Sequence, residues 1–90
     1  MTHLGLKEFP MGWCHLMRES DTFIFKRDDL TLWFKQENIH EGEWNEDKTL
    51  YSFPIYCREE LPNGIAFSKE CIKWIKGLME KSLNREVKFC

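Results

Sequence analysis

Residues 68–83 read SKECIKWIKGLMEKSL, and their period decides the fold. At 100° per residue, Cys71, Ile72, Trp74, Ile75, Leu78, Met79, Ser82 and Leu83 share one half of a helical wheel. Lys69, Glu70, Lys73, Lys76, Gly77, Glu80 and Lys81 take the other half. Ser68 fits an N-cap, and Glu70 stands in the first turn, where the helix dipole favours an acid. Phe67 and Ile72 are spaced for a hydrophobic staple, and Asn84 suits a left-handed stop. An apolar half this wide cannot stay in water, so the preceding chain must supply the surface it covers.

That preceding chain reads as strands. Thr22–Lys26 and Leu30–Lys35 flank Asp28-Asp29, both residue types that tolerate positive φ, which predicts a two-residue hairpin. Its register pairs Phe25 with Leu32 and Phe23 with Phe34, and Leu30 joins them on a platform for the helix. The same register sets Ile24 opposite Trp33 on the reverse face. Trp13–Arg18 is a further strand with two open registers. A two-residue loop before the hairpin turns Cys14 and Leu16 to the core, and a three-residue loop turns Trp13, His15 and Met17 there.

Further on, Thr49–Cys57 alternates, with Tyr51, Phe53, Ile55 and Cys57 on one side, and Pro54 marks an edge strand or a bulge. Leu61-Pro62-Asn63-Gly64 is a turn signal, after which Ile65–Phe67 leads into the helix. The expected architecture is one α+β domain over residues 1–90: a four- to five-stranded antiparallel sheet with one long C-terminal amphipathic helix across one face. Residues 1–12, with Gly5, Pro10 and Gly12, read as an irregular arm; strands fill 13–67, interrupted by an acidic loop at 37–48. Residues 84–90 form a tail or a last short strand.

Ninety residues leave room for one core, and with Ala66 and Val87 the sole residues of their kinds, that core must be Phe, Leu, Ile, Trp and Met. A formal charge of −2 argues against a general nucleic-acid binder and a polybasic membrane anchor. No apolar run reaches membrane-spanning length, and Met1–Pro10 lacks the apolar region of a signal peptide. The expectation is a cytoplasmic chain whose Cys14, Cys57, Cys71 and Cys90 are free thiols.

No phosphate-cradling, nucleophile-elbow or zincin motif occurs. Cys14 and His15 are adjacent, so a strand points them to opposite faces and spoils a thiol–imidazole pair. His3, Cys14, His15 and His40 show no ligand spacing, and Glu59-Glu60 read as solvated turn acids. Neither a metal nor a cofactor is expected, and the chain is not expected to be an enzyme.

The loop at 37–48 stands apart. Glu37, Glu41, Glu43, Glu46 and Asp47 face Lys48 alone, a net of −4, while the other 78 residues hold twelve bases and ten acids. Ile39 and Trp44 lie among these acids. Either they anchor an interface, with the acids steering a basic partner, or they fold back and tether the loop. The frequency with which loop aromatics pack favours the tether slightly. Ile24 and Trp33, on a sheet face that one helix leaves in water, form a second candidate surface for a partner or a dimer mate. The favoured reading is a small non-enzymatic protein-binding module, an inhibitor or an accessory or immunity-type factor of phage or microbial kind. The alternative is a nucleic-acid-binding domain using Lys69, Lys73, Lys76 and Lys81, which as the wet face of an amphipathic helix require no ligand.

Overall fold

A computed structural model describes residues 1–10, 12–28, 30–54 and 65–88. Strands β1 (Thr2–Phe9), β2 (Gly12–Glu19), β3 (Thr22–Arg27) and β4 (Leu30–Lys35) form an antiparallel sheet in that order. Helix α1 (Gln36–His40) follows, then a second antiparallel sheet of β5 (Glu43–Trp44), β6 (Leu50–Phe53) and β7 (Ile65–Ser68). Helix α2 (Lys69–Leu83) ends the regular structure.

Helix α2 has the limits its caps predict. The Ser68 hydroxyl accepts from Cys71 N–H, and Asn84 is left-handed at φ 53°. Cys71, Ile72, Ile75 and Met79 are buried, while Lys69, Lys73 and Lys81 are exposed. The hairpin register also holds, with Phe25 opposite Leu32, Phe23 opposite Phe34 and Ile24 opposite Trp33. Asp28 takes the positive φ (51°) its turn requires; Asp29 lies outside the described residues. The open register before the hairpin resolves to the two-residue loop. Glu19 pairs with Thr22, Ser20 adopts φ 56°, and Cys14 and Leu16 turn inward.

Two expectations need correction. The stretch 1–12 is not an irregular arm, because Thr2–Phe9 is a full edge strand paired to β2. A bulge between His3 and Gly5 breaks its alternation and puts Leu4 against the core. The strands also form two sheets rather than one. After β4 the Asn38 side chain accepts from Lys35 N–H at 2.7 Å and opens α1, so the next strands cannot extend the β4 ladder. They pack by face instead. Phe53 meets Phe34 at 5.2 Å and Phe67 at 5.3 Å, and Phe67 meets Phe25 edge-on at 5.2 Å.

Strand β6 stops at Phe53, one residue before Pro54, which has no N–H for a ladder, and it is the middle strand rather than an edge. Tyr51 and Phe53 point inward as expected. Ile55, Cys57, Glu59, Glu60, the Leu61–Gly64 turn and Cys90 lie outside the described residues. The tail at 86–88 has no strand. It is pinned by Val87, fully buried, whose N–H donates to Glu80 Oε2 at 3.1 Å.

Helix α2 packs against β1, β6 and β7. It approaches β1 closely at Gly5, where a Cβ would sit 2.7 Å from Leu78 Cδ1 and 3.4 Å from the Trp74 ring. Trp74 meets Phe9 edge-on at 5.5 Å. At the far end, Arg18 donates to the Ser82 carbonyl and hydroxyl, each at 3.0 Å, a cation placed where the helix dipole is negative.

Ile75→Ala should cost ~2–5 kcal/mol and Lys73→Ala no more than about 0.5 kcal/mol. Gly77, with nothing within 4 Å of a new Cβ, should gain about 0.5–1 kcal/mol as Ala. Denaturant titration of the three variants checks this, and equal losses for Ile75→Ala and Lys73→Ala would refute the buried face.

Candidate functional site

The acidic segment is built around Tyr51. Its hydroxyl donates to the Ile39 carbonyl, and its ring lies under Gly42, where a Cβ would come within 2.4 Å of ring carbon. Gly42 is needed for this close approach, not for its φ. Trp44 pairs with Tyr51 across the β5–β6 ladder and packs edge-on at 5.0 Å, half-buried. Ile39 is fully buried in the core. As a partner contact Ile39 is therefore corrected: a short helix, with the Tyr51 hydrogen bond, turns its side chain inward. Trp44 is held in the way the tethering alternative requires.

The acids stay wet. Glu37, Glu41, Glu43, Glu46 and Asp47 are all exposed. The β5–β6 turn is ordered by its own side chains, since Asn45 Oδ1 accepts from Thr49 N–H at 2.9 Å and Leu50 N–H at 3.0 Å. Asp47 accepts from the Thr49 hydroxyl at 2.6 Å and its N–H at 3.2 Å. Those bonds, the hydroxyl first, hold the Asp47 carboxyl below its ordinary range.

The outer face of the four-stranded sheet, opposite α2, carries two transverse rows. His3, Met17, Ile24 and Trp33 form one, and Leu6, His15, Lys26 and Thr31 the next. Trp13 and Glu8 begin a third. Ile24 and Met17 are only 4% and 8% exposed but lie outside the main core cluster, and Trp33 is half-buried beside them. Trp13 and Leu6 stand 56% and 57% exposed. Ile24 and Trp33 are thus the shielded floor of a larger surface whose projecting side chains are Trp13 and Leu6. Sequence reasoning missed both. Trp13 was hidden by the open register of its strand, and Leu6 by Gly5, Pro10 and Gly12, which made residues 1–12 read as an irregular arm.

On that face His3 Nδ1 and His15 Nε2 share a hydrogen bond, with ring centroids 4.4 Å apart. Partial burial, then the charges of His3 and Lys26, push the His15 pKa below its ordinary value. Among the described residues no group of three or more His, Cys, Asp or Glu could hold a metal ion. A crevice of about 160 Å³ between Arg18, Lys35, Glu37 and Arg85 is smaller than ordinary ligand pockets of ~300–1,000 Å³.

No family model, curated protein or solved structure matches the chain. Function must therefore be argued from these surfaces. No described helix is long and apolar enough to cross a membrane. Lys69, Lys73 and Lys81 line the wet side of α2, with Glu70 among them.

Two measurements test this geometry. Trp44→Ala and Gly42→Ala should each destabilise the fold by ~1–3 kcal/mol, through lost ring packing and through a clash with Tyr51. A Trp44→Ala protein as stable as the parent would restore the interface-anchor reading. The folded His15 imidazole is harder to protonate than the unfolded one. Its contribution to stability is therefore complete above its ordinary pKa, about 6.5, and is lost as pH falls from there through the lower pKa of the folded state. An NMR titration should place His15 below ordinary histidine and move it upward in His3→Gln; a value at or above ordinary histidine would contradict the burial.

Proposed function

We propose that the protein is a non-enzymatic protein-binding module, an inhibitor or an accessory or immunity-type factor acting in a microbial or phage-infected cytoplasm. It docks a protein with a basic surface on the outer face of the four-stranded sheet. The observation that carries this reading is the pair Trp13 and Leu6, more than half exposed on a face floored by Met17, Ile24 and Trp33. Large apolar side chains left in water beside a shielded apolar floor are the composition of an interface centre, and Trp is among the residues that most often dominate binding energy.

The charge distribution supports the choice of partner. The five exposed acids of 37–47 follow directly on β4, the edge strand that carries Trp33. In this reading they act at long range, raising the encounter rate with a basic surface, while Trp13 and Leu6 hold the complex once formed. The two roles separate experimentally.

Affinity capture from a cell extract supplies the partner, and kinetics on variants assign the surfaces. Trp13→Ala should speed dissociation and weaken binding about thirtyfold, ~2 kcal/mol, with folding stability changed by no more than about 0.5 kcal/mol. Replacing Glu41, Glu43 and Glu46 by Gln should instead slow association and flatten its salt dependence. Binding indifferent to Trp13→Ala and Leu6→Ala would end the proposal. Capture of DNA or RNA with a steep salt slope, lost on replacing Lys69, Lys73 and Lys81, would put the nucleic-acid reading in its place.

A further inference from the structure

We propose that His3 and His15 form a two-imidazole chelate for a borderline divalent transition-metal ion, of the zinc, nickel or copper kind, on the outer face of the four-stranded sheet. His3 Nδ1 and His15 Nε2 are in hydrogen-bond contact, with ring centroids 4.4 Å apart and ring planes tilted by 58°. His15 is half-buried on β2, an inner strand whose backbone is paired on both sides. His3 is exposed on the edge strand β1, so its ring has room to adjust. The pair neighbours Leu6 on the same face and needs no docked partner.

The bulge in β1 is what brings the two rings together. Counting back from the Leu6–His15 pair along an unbroken ladder would set Leu4 opposite Met17 and His3 opposite Arg18, which shares the inner face with Phe23. The extra residue at Leu4 instead sets His3 opposite Met17, on the face that carries His15. One irregularity thus packs Leu4 against the core and turns His3 outward, toward its diagonal neighbour on β2.

Imidazole nitrogen is a ligand for zinc, nickel and copper, whereas magnesium and calcium require oxygen. Two nitrogens on one tetrahedral ion, each at ~2.0–2.1 Å, lie about 3.3 Å apart, slightly more than hydrogen-bond contact. A small rotation of the exposed His3 ring therefore converts a shared hydrogen bond into a shared ion. One ring changes tautomer as this happens. With the His3 proton on Nε2 and the His15 proton on Nδ1, both facing nitrogens present a lone pair, and no proton is released overall. Partial burial, then the charges of His3 and Lys26, lower the His15 pKa and favour the neutral, ligating form. Lys26, opposite His15 on β3, opposes a cation, but it is exposed and its charge is screened by solvent. Two protein ligands leave the remaining positions to water, so the ion binds reversibly, unlike one in a closed four-ligand site.

The test is titration of zinc ion into the full chain carrying Cys57→Ser and Cys90→Ser, at neutral pH, followed by NMR of the imidazole rings and by thermal melting. One zinc ion per chain should shift the ring signals of both His3 and His15 and raise the melting temperature, and magnesium should do neither. His3→Ala and His15→Ala should each weaken zinc binding by at least about tenfold, and acidification to about pH 5 should release the ion. Zinc that leaves either ring unshifted, or that binds His15→Ala as tightly as the parent, would overturn the proposal. So would a sulfur-to-metal charge-transfer band on replacing zinc with cobalt(II), since it would place the ion on a thiolate. If His15→Ala fails to fold, the exposed His3→Ala decides alone: unchanged affinity refutes the chelate, and a tenfold loss supports it.

Discussion

Four phenylalanines hold the two halves of the molecule together. Phe25 and Phe34 belong to the four-stranded sheet, Phe53 and Phe67 to the small one, and their edge-to-face contacts at 5.2 Å join sheets that share no ladder. Rings of this size bury large apolar areas and prefer these tilted geometries, so the contact has both strength and a fixed angle. Helix α2 depends on it, because β7, which carries Phe67, runs directly into the helix and sets its direction. A chain with a single alanine and a single valine has few other ways to build a core.

The helix and the hairpin were legible in the sequence because each is specified locally. Ser68, Asn84 and a complete apolar half-wheel fix α2 without reference to anything distant. Asp28-Asp29 between two alternating runs sets the β3–β4 register in the same way. What could not be read depended on partners far away in the chain. Gly5 looks like a breaker in isolation, yet its missing Cβ is what lets Leu78 lie against β1. The split into two sheets turns on Asn38, a single polar side chain that caps the Lys35 N–H and diverts the chain into a helix. No periodicity announces that.

The candidate site was legible only in part, and for a related reason. The acidic loop drew notice through its charge, but its apolar members are governed by Tyr51, whose hydroxyl and ring hold Ile39, Gly42 and Trp44 from below. The sheet face drew notice through Ile24 and Trp33, which prove to be its recessed part. Trp13 and Leu6 project because each lies toward the β1 side, away from the crowded Met17–Ile24–Trp33 row. A one-residue choice of loop length separated the two outcomes for Trp13, and a loop of that size carries little information about itself.

The bulge at Leu4 has a bearing on how this molecule meets others. An edge strand offers unpaired backbone groups to any passing strand, and a flat one invites end-on growth into aggregates. Here β1 is bent at Leu4, bears Lys7, and has α2 seated over Gly5, while β4 at the opposite border leads straight into a helix. Neither border is a good template for a further strand. Lateral polymerisation is thus discouraged by the backbone itself, and the sheet is left to engage its surroundings through side chains on its broad surface.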